Sequence, residues 1–184
     1  MTGDFSIKPT LTGERVELRP FLDEDYPAIE AALRDPEVIR LTGSTPIVWD
    51  EAAHVRLREW YSTRNRQPDR LDLAVTDRAT GHWVGEVVLN KVDVHNQACN
   101  FRILIGPGGR DQGFGTEAVR LLLDHAFGTL GLHRVELQVF AFNPRARRVY
   151  EKAGFQAEGV LRDALRTPGG WADAIVMSAL APGS

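Results

Sequence analysis

Apolar and polar residues alternate over several short stretches of the chain, and each stretch predicts a half-buried strand. The first is ERVELRPF (14–21), where Val16 and Leu18 stand between charged neighbours. Beginning at residue 71 the alternation returns in LDLAVTD, HWVGEVVLNKV and CNFRILIG, which are separated by the turn-forming segments RATG and DVHNQA. Strands joined by turns this short predict an antiparallel meander.

In other segments the apolar residues repeat every three or four positions, which predicts helices. One helix is predicted after Asp23 or Asp25, either of which can cap it, and Pro27 is tolerated there because its missing N–H would have no helical partner. A second helix is predicted around 50–62, and a third follows a glycine-rich segment near residue 113. The apolar stripes of the three helices are Ile29, Ala32 and Leu33; Ala53, Leu57, Trp60 and Tyr61; and Val119, Leu122, Leu123, Ala126 and Phe127.

The remaining segments complete an alternating series of strands and helices. A strand RVELQVFAF (134–142) is followed by a short helix PRARRVYEKAG, for which Gly154 is the residue expected just past the C-terminus. The tail, 155–180, predicts two strands joined by a Pro-Gly-Gly turn. Since no repeat or linker interrupts the chain, we predict one α+β domain over 1–184, with a mostly antiparallel central sheet and helices on both faces.

Composition excludes several classes of function. The chain has 184 residues, and its 22 Lys and Arg against 25 Asp and Glu give a net charge of -3, which disfavours nucleic-acid binding. No apolar run approaches the roughly 20 residues of a membrane span, and the start of the chain does not resemble a signal peptide, so we expect a cytoplasmic protein without membrane association. The single cysteine, Cys99, is expected in the core, and no histidine has a partner at metal-ligand spacing, so no metal is expected.

The segment RDQGFGTEAV (110–119) is the best candidate for an anion site. A Walker loop would need Lys-Ser/Thr after its glycines, and a dinucleotide fingerprint would need a different glycine spacing. Gly113 and Gly115, between a strand and a helix, can instead turn their N–H groups toward one anion at the helix N-terminus, with Arg110 adding a charge-assisted contact. A plain glycine-rich turn that starts a helix is the structural alternative.

Three ordered segments, NFRILIGP, RDQGFGTEAV and NPRARRVYEKAGFQAEG, resemble the coenzyme A-binding core of the GNAT N-acetyltransferases. The opening ERVELRPFLDEDYPAIEAALRDPEV resembles the branch with the RimJ/RimL-type ribosomal-protein N-terminal acetyltransferases. The resemblance implies acetyl-CoA as co-substrate, its pyrophosphate on the amides of 113–116 and its pantetheine arm along the strand edge at 101–105. The cofactor-binding residues so predicted are Ile103, Leu104, Ile105, Arg110, Gln112, Gly113, Phe114, Gly115, Thr116, Asn143 and Arg147.

The resemblance also implies the catalytic groups. Tyr150 would point at the thioester sulfur, and its phenol stays protonated to about pH 10, so it can donate a proton to the leaving thiolate. Glu86 is the best candidate for a general base, directly or through a water. Related sequences often carry a glutamate where Asn100 stands and a serine where Ala146 stands, so neither group is available here.

The acceptor amine would approach opposite the coenzyme, between the early helices and the last hairpin. Trp49, Trp60, Tyr61 and Trp171 fall in those segments, although the helical phase of Trp60 and Tyr61 is also typical of core residues. We expect acetyl transfer to a protein or peptide N-terminal amine. The alternatives are a small-molecule amine such as an antibiotic, polyamine or amino acid, or a non-catalytic acyl-CoA-binding protein. The sequence fixes neither the acyl chain length nor the oligomeric state, and a homodimer is compatible with it.

Overall fold

The computed structural model describes residues 4–183, which form a single eight-stranded sheet flanked by helices. Its strands are β1 (Leu11–Thr12), β2 (Val16–Arg19), β3 (Leu71–Asp77), β4 (Trp83–Asp93), β5 (Ala98–Ile105), β6 (Arg134–Phe140), β7 (Gln156–Thr167) and β8 (Gly170–Leu180). Their order across the sheet is β1-β2-β3-β4-β5-β6-β8-β7. All neighbouring pairs are antiparallel except β5 and β6, so the predicted mostly antiparallel sheet is confirmed.

Helices cover both faces of this sheet, as predicted. They are α1 (Tyr26–Arg34), α2 (Pro36–Thr42), α3 (Glu51–Arg64), α4 (Phe114–Gly128) and α5 (Pro144–Lys152). Side chains of α1 and α3 pack with Ala74 and Trp83 on one face, here called the α1–α3 face. The other face, the α4–α5 face, contains the larger core, in which Leu122 of α4 and Tyr150 of α5 pack against Phe101 and Val135 of the sheet.

The pairing of β5 with β6 is short, and this shapes the middle of the sheet. Ala98, Cys99 and Asn100 pair with Arg134, Val135 and Glu136, and no further rung joins the two strands within residues 4–183. Beyond Asn100 the strands splay apart. A gap in a sheet leaves backbone groups and both faces open to a ligand, which an unbroken ladder would not.

Two short elements were missed in the sequence, although one has a clear signal. In α2, Asp35 caps the start by accepting from the Val38 amide at 2.8 Å, Pro36 takes the first turn, and Gly43 ends the helix with φ +65°. An Asp-Pro start and a glycine stop are helix signals. The other missed element, β1, is too short to show a period.

The predicted cap of α1 is wrong in its chemistry. The Asp25 carboxylate accepts two hydrogen bonds from Arg19, both at 2.8 Å, and one from the Leu22 amide, so it makes no cap contact with α1. By contrast Asp50 does cap α3, accepting from the Ala53 amide at 2.7 Å. A buried acid beside an arginine gains more from a charge-assisted pair than from a cap alone.

The predicted end of α5 is confirmed. Gly154 has φ +101°, and the Phe155 amide donates to the Tyr150 carbonyl at 3.0 Å while the Gly154 amide donates to the Glu151 carbonyl at 3.1 Å. These two bonds form a Schellman motif, and the Phe155 ring contacts the Tyr150 ring at a centroid distance of 5.9 Å. The motif therefore fixes the last turn of α5, including Tyr150.

No helix in the described part of the chain is both long and apolar enough to cross a membrane.

Candidate active site

The splay between β5 and β6 opens into a cavity of about 480 Å³. Its walls come from β5, β6, the loop before α4, the start of α4, one side of α5, and the residues Val38, Leu41 and Thr42 of α2. Because α2 lies on the α1–α3 face and α4 and α5 lie on the other, the cavity runs through the sheet. The size is that of a small-molecule site.

The N-terminus of α4 forms one end of this cavity. Gly113 stands at the N-cap position with φ +80°, a left-handed conformation that glycine adopts without strain, and no side chain caps the helix. The amides of Phe114, Gly115 and Thr116 are in the first turn, where no helical carbonyl is available to them. Gly113, Gly115 and Thr116 line the cavity, so this helix end can bind an anion.

The predicted side chains of this loop differ in where they point. The Arg110 guanidinium lines the cavity but is held by α2, donating to Asp35 at 2.7 Å and to Glu37 at 2.6 Å. Its hydrogen bond lowers the pKa of Asp35, so both partners stay charged. Gln112 donates instead to the Gly108 carbonyl and lies outside the cavity lining, and the Phe114 ring is buried in the core.

The predicted strand edge does border the cavity. Ile103, Leu104 and Ile105 line it, and they follow the last rung between β5 and β6. On the β4 side these residues complete their ladder, since Leu104 is the Cα partner of Glu86. The free edge of β5 therefore faces the splay and can bind an extended amide-containing ligand through its backbone.

Tyr150 and Asn143 of the α5 segment both line the cavity. The Tyr150 ring is only 7% exposed and contacts Phe101 at 6.2 Å, and its hydroxyl makes no hydrogen bond to another described residue. Burial raises the pKa of Tyr150 above its usual value, so the phenol is protonated at neutral pH. Asn143 caps α5, its side chain accepting from the Ala146 amide at 3.1 Å.

Three basic residues of α5 line the cavity, and none of them was predicted from the sequence to bind the coenzyme. They are Arg145, Arg148 and Lys152, whereas Arg147 pairs with Glu151 at 2.8 Å and lies outside the lining. Arg148 and Lys152 are four residues apart and therefore share a helix face. That spacing is visible in the sequence, but only the orientation of α5 against the splay decides which face borders it.

Glu86 lies on the α1–α3 face of β4, behind Leu104 rather than in the cavity wall. Its carboxylate accepts a hydrogen bond from the Tyr61 hydroxyl at 2.8 Å. Burial raises the pKa of Glu86 to about 7, although the Tyr61 hydrogen bond and the charge of Arg102 act in the opposite direction. Such a carboxyl can take up a proton near neutral pH, which is the property of a general base. Asn100, by contrast, is bound to Asn90 through side-chain amides at 3.0 Å.

The four aromatic residues considered for the acceptor lie away from the cavity lining. The expectation that Trp60 is a core residue is wrong: it is 54% exposed, and the Arg64 guanidinium stacks on it at 3.5 Å. Trp171 is 62% exposed, while Tyr61 is buried beside Glu86. Their placement depends on how α3 and the last hairpin fold back, which the helical period does not show.

Cys99 lies in the core, as expected, and burial raises the pKa of its thiol to about 12. A protonated, buried thiol cannot act as an acyl-accepting nucleophile. Among residues 4–183 no group of three or more His, Cys, Asp or Glu side chains is placed to hold a metal ion.

Comparison with known proteins shows which family the chain belongs to. Residues 15–156 match the Acetyltransferase (GNAT) domain family. The chain is 29% identical over 163 residues to the spermidine N(1)-acetyltransferase of Escherichia coli K12, covering 88% of this chain and 84% of that protein. It is 28% identical over 172 residues to the uncharacterized N-acetyltransferase p20 of Bacillus licheniformis, covering 93% and 96%.

A solved structure has the same fold. The spermidine N-acetyltransferase of Vibrio cholerae, crystallised with CoA and spermine, superposes with a TM-score of 0.81 at 24% identity, over 91% of this chain and 96% of that one. The family match covers most of the sheet, the loop before α4 and all of α5. The chain therefore belongs to the GNAT acetyltransferase family and is an acetyl-CoA-dependent N-acyltransferase.

Proposed function

We propose that the chain transfers the acetyl group of acetyl-CoA to a small primary amine by direct attack within the splay between β5 and β6. The cavity that runs through the sheet carries this proposal, because it joins an anion-binding helix end to a protonated tyrosine and opens on the opposite face beside α2. The E. coli relative, named for a small amine, supports a small acceptor.

The coenzyme fits the α4–α5 side of the cavity. Its pyrophosphate binds the amides of the first turn of α4, where the helix dipole also favours an anion. Its pantetheine arm pairs with the free edge of β5, and Arg148 and Lys152 supply positive charge for the remaining phosphate. Arg147, which was predicted from the sequence to bind the coenzyme, is paired with Glu151 and is therefore a poorer candidate for a phosphate contact.

The chemistry needs one group that accepts a proton and one that donates it. The neutral amine nitrogen attacks the thioester carbonyl, the C–S bond breaks, and Tyr150 gives its proton to the departing sulfur. Glu86 lies next to Leu104 but outside the cavity lining, so it does not contact the amine directly. The proton lost by the amine therefore passes to Glu86 through water. A pKa near 7 lets Glu86 serve as the base at neutral pH.

A peptide N-terminal amine, which the RimJ/RimL resemblance predicts, is the competing acceptor. Its α-amine has a pKa near 8 and is partly neutral at physiological pH, so it needs little help from a base. A lysine side chain, with a pKa of about 10.4, needs much more.

One experiment tests the proposed function. The protein is incubated with acetyl-CoA and panels of small amines, polyamines, aminoglycosides and Ser- or Ala-starting peptides, while free thiol release is followed. We expect release that depends on a small amine. Turnover with peptides alone would overturn the small-amine acceptor, and tight coenzyme binding without release on any amine would make the chain a binding protein instead.

A further inference from the structure

Arg102 of β5 stands on the α1–α3 face, opposite the side that the coenzyme fits. Its Cα partner on β4 is Val88, and Glu86 is two residues from Val88 on the same strand. Cross-strand partners, and residues two apart, project from the same face of a sheet. Arg102 therefore shares its face with Glu86, which α3 contacts through Tyr61.

A glutamine faces Arg102 across the splay. Asn100 of β5 and Glu136 of β6 form the last rung, so Arg102 and Gln138 are each two residues beyond it, on the same face. Both side chains line the cavity and both residues are exposed. Together they border the side of the cavity from which an amine would approach the thioester.

Arg102 is the basic group on this face that nothing else neutralises. Five basic residues line the cavity: Arg102, Arg110, Arg145, Arg148 and Lys152. Two of them are ion-paired, Arg110 with Asp35 and Glu37, and Arg145 with Asp111. Arg148 and Lys152 belong, like Arg145, to α5 on the coenzyme side. Arg102 has no hydrogen bond or ion pair to any residue in 4–183, and its charge reaches Glu86 only at longer range.

We infer that Arg102, with Gln138, binds a carboxylate of the acceptor, so that the acceptor is a small amine carrying a carboxylate, an amino acid in chemical class. This inference rests on the proposed function. A planar guanidinium binds a carboxylate through two parallel hydrogen bonds, and a side-chain amide donates a third. The acceptor amine then points along β5 toward Leu104 and the thioester.

The same lining disfavours a polyamine. Asp111 is the only acidic residue among the cavity-lining residues in the described chain, and Arg145 neutralises it. A polyamine carries several positive charges and would meet the free guanidinium of Arg102 in a lining without an unpaired acid, since Glu86, on the same face, is outside the lining and accepts from Tyr61. The charge pattern therefore favours a different acceptor from the spermidine for which the E. coli relative is named.

The test compares three matched acceptor classes by thiol release: free amino acids, their carboxamides, and spermidine. The carboxamide keeps the side chain and lacks the negative charge, and because its amine also has a lower pKa, kcat/KM is compared per neutral amine. For the unmodified protein we expect kcat/KM to be higher for amino acids than for carboxamides, and lowest for spermidine. Arg102→Gln should lower the ratio of kcat/KM for amino acids to kcat/KM for carboxamides about tenfold to a hundredfold. Arg102→Lys should give an intermediate ratio, because lysine keeps the positive charge but cannot form the two parallel hydrogen bonds of a guanidinium.

Arg66→Gln is the matched control, since Arg66 is an exposed arginine outside the cavity, and it should keep the ratio of the unmodified protein. Calorimetric titration with acetyl-CoA should give the same affinity for Arg102→Gln as for the unmodified protein, which shows that the variant is folded. Turnover of carboxamides or spermidine at least equal to that of amino acids, or a ratio that Arg102→Gln leaves unchanged, would overturn the inference while the proposed function stands. Absence of thiol release with every amine would overturn the proposed function itself.

Discussion

The position of Tyr150 is set by backbone hydrogen bonds at the end of α5 and by contacts with two aromatic rings. The Schellman bonds at Gly154 and Phe155 close the helix just after it, and the rings of Phe101 and Phe155 both contact its ring. Tyr150 lines the cavity, and its hydroxyl makes no hydrogen bond within the described chain. The glycine and the tyrosine could be predicted from the sequence, because a helix end is a local pattern; the aromatic contacts could not.

Tyr150→Phe should lower kcat about tenfold to a thousandfold, because the thiolate then leaves without a proton donor. The acetyl-CoA affinity should stay nearly the same, since the ring remains in place. Steady-state kinetics and calorimetry measure the two quantities. Tyr26→Phe is the matched control, as Tyr26 is a buried tyrosine whose hydroxyl donates to the Arg58 carbonyl away from the cavity. An unchanged kcat would remove Tyr150 from the mechanism.

As the proposed base, Glu86 should give the enzyme a defined pH dependence. With a pKa of about 7, it is an active base above that pH and is protonated below it, so kcat/KM should fall as the pH drops through 7. The Tyr61 hydrogen bond lowers this pKa. Tyr61→Phe should therefore move the acidic limb of the pH–rate profile to higher pH, while Tyr26→Phe leaves it in place. A limb that stays fixed or moves to lower pH in Tyr61→Phe would contradict the assignment of the base.

At the scale of elements, the α4 N-terminus was predictable and the orientation of α5 was not. Two glycines before an apolar helix are a local signal, and Gly113 does adopt the left-handed conformation at the cap. Arg147 and Arg148 differ by one position, or about 100° around a helix. Which of them borders the cavity depends on how α5 packs against β5 and β6, and that information is not local.

Gly113→Val should raise the Kd for acetyl-CoA about tenfold or more, because a β-branched residue at φ +80° is strained and its side chain crowds the first-turn amides. Gly81→Val is the matched control. Gly81 has φ +74° with open space around it, in the turn between β3 and β4. Both variants should lose similar thermal stability, and only Gly113→Val should lose affinity in calorimetry. Equal affinities for the two variants would count against the loop as the pyrophosphate site.

Substitutions at two neighbouring residues distinguish which face of α5 contributes to coenzyme binding. Arg148→Gln should weaken acetyl-CoA binding several-fold to about tenfold, and this loss should shrink as salt is added, because the contact is a charge on an exposed phosphate. Arg147→Gln should have little effect, since Arg147 is occupied by Glu151 outside the cavity. Titrations at low and high ionic strength measure both. A larger loss for Arg147→Gln would show that α5 presents its other face to the coenzyme.

For the whole molecule, the sequence predicts the class of the sheet but not its order. Seven strands and four helices follow from local periods, and turn residues indicate the hairpins. The parallel meeting of β5 and β6, and their parting after Asn100, depend on contacts between segments far apart in the chain. Charge shows the same limit: the net charge of -3 gives no sign that the cavity lining is basic. The candidate active site lies where β5 and β6 part.

A crystal structure of the protein with CoA bound tests this account most directly. We predict the pyrophosphate within hydrogen-bond distance of the amides between Gly113 and Thr116, the pantetheine arm along β5 from Ile103 to Ile105, and the sulfur beside the Tyr150 hydroxyl. A coenzyme bound outside the splay, or a pyrophosphate remote from the start of α4, would contradict it.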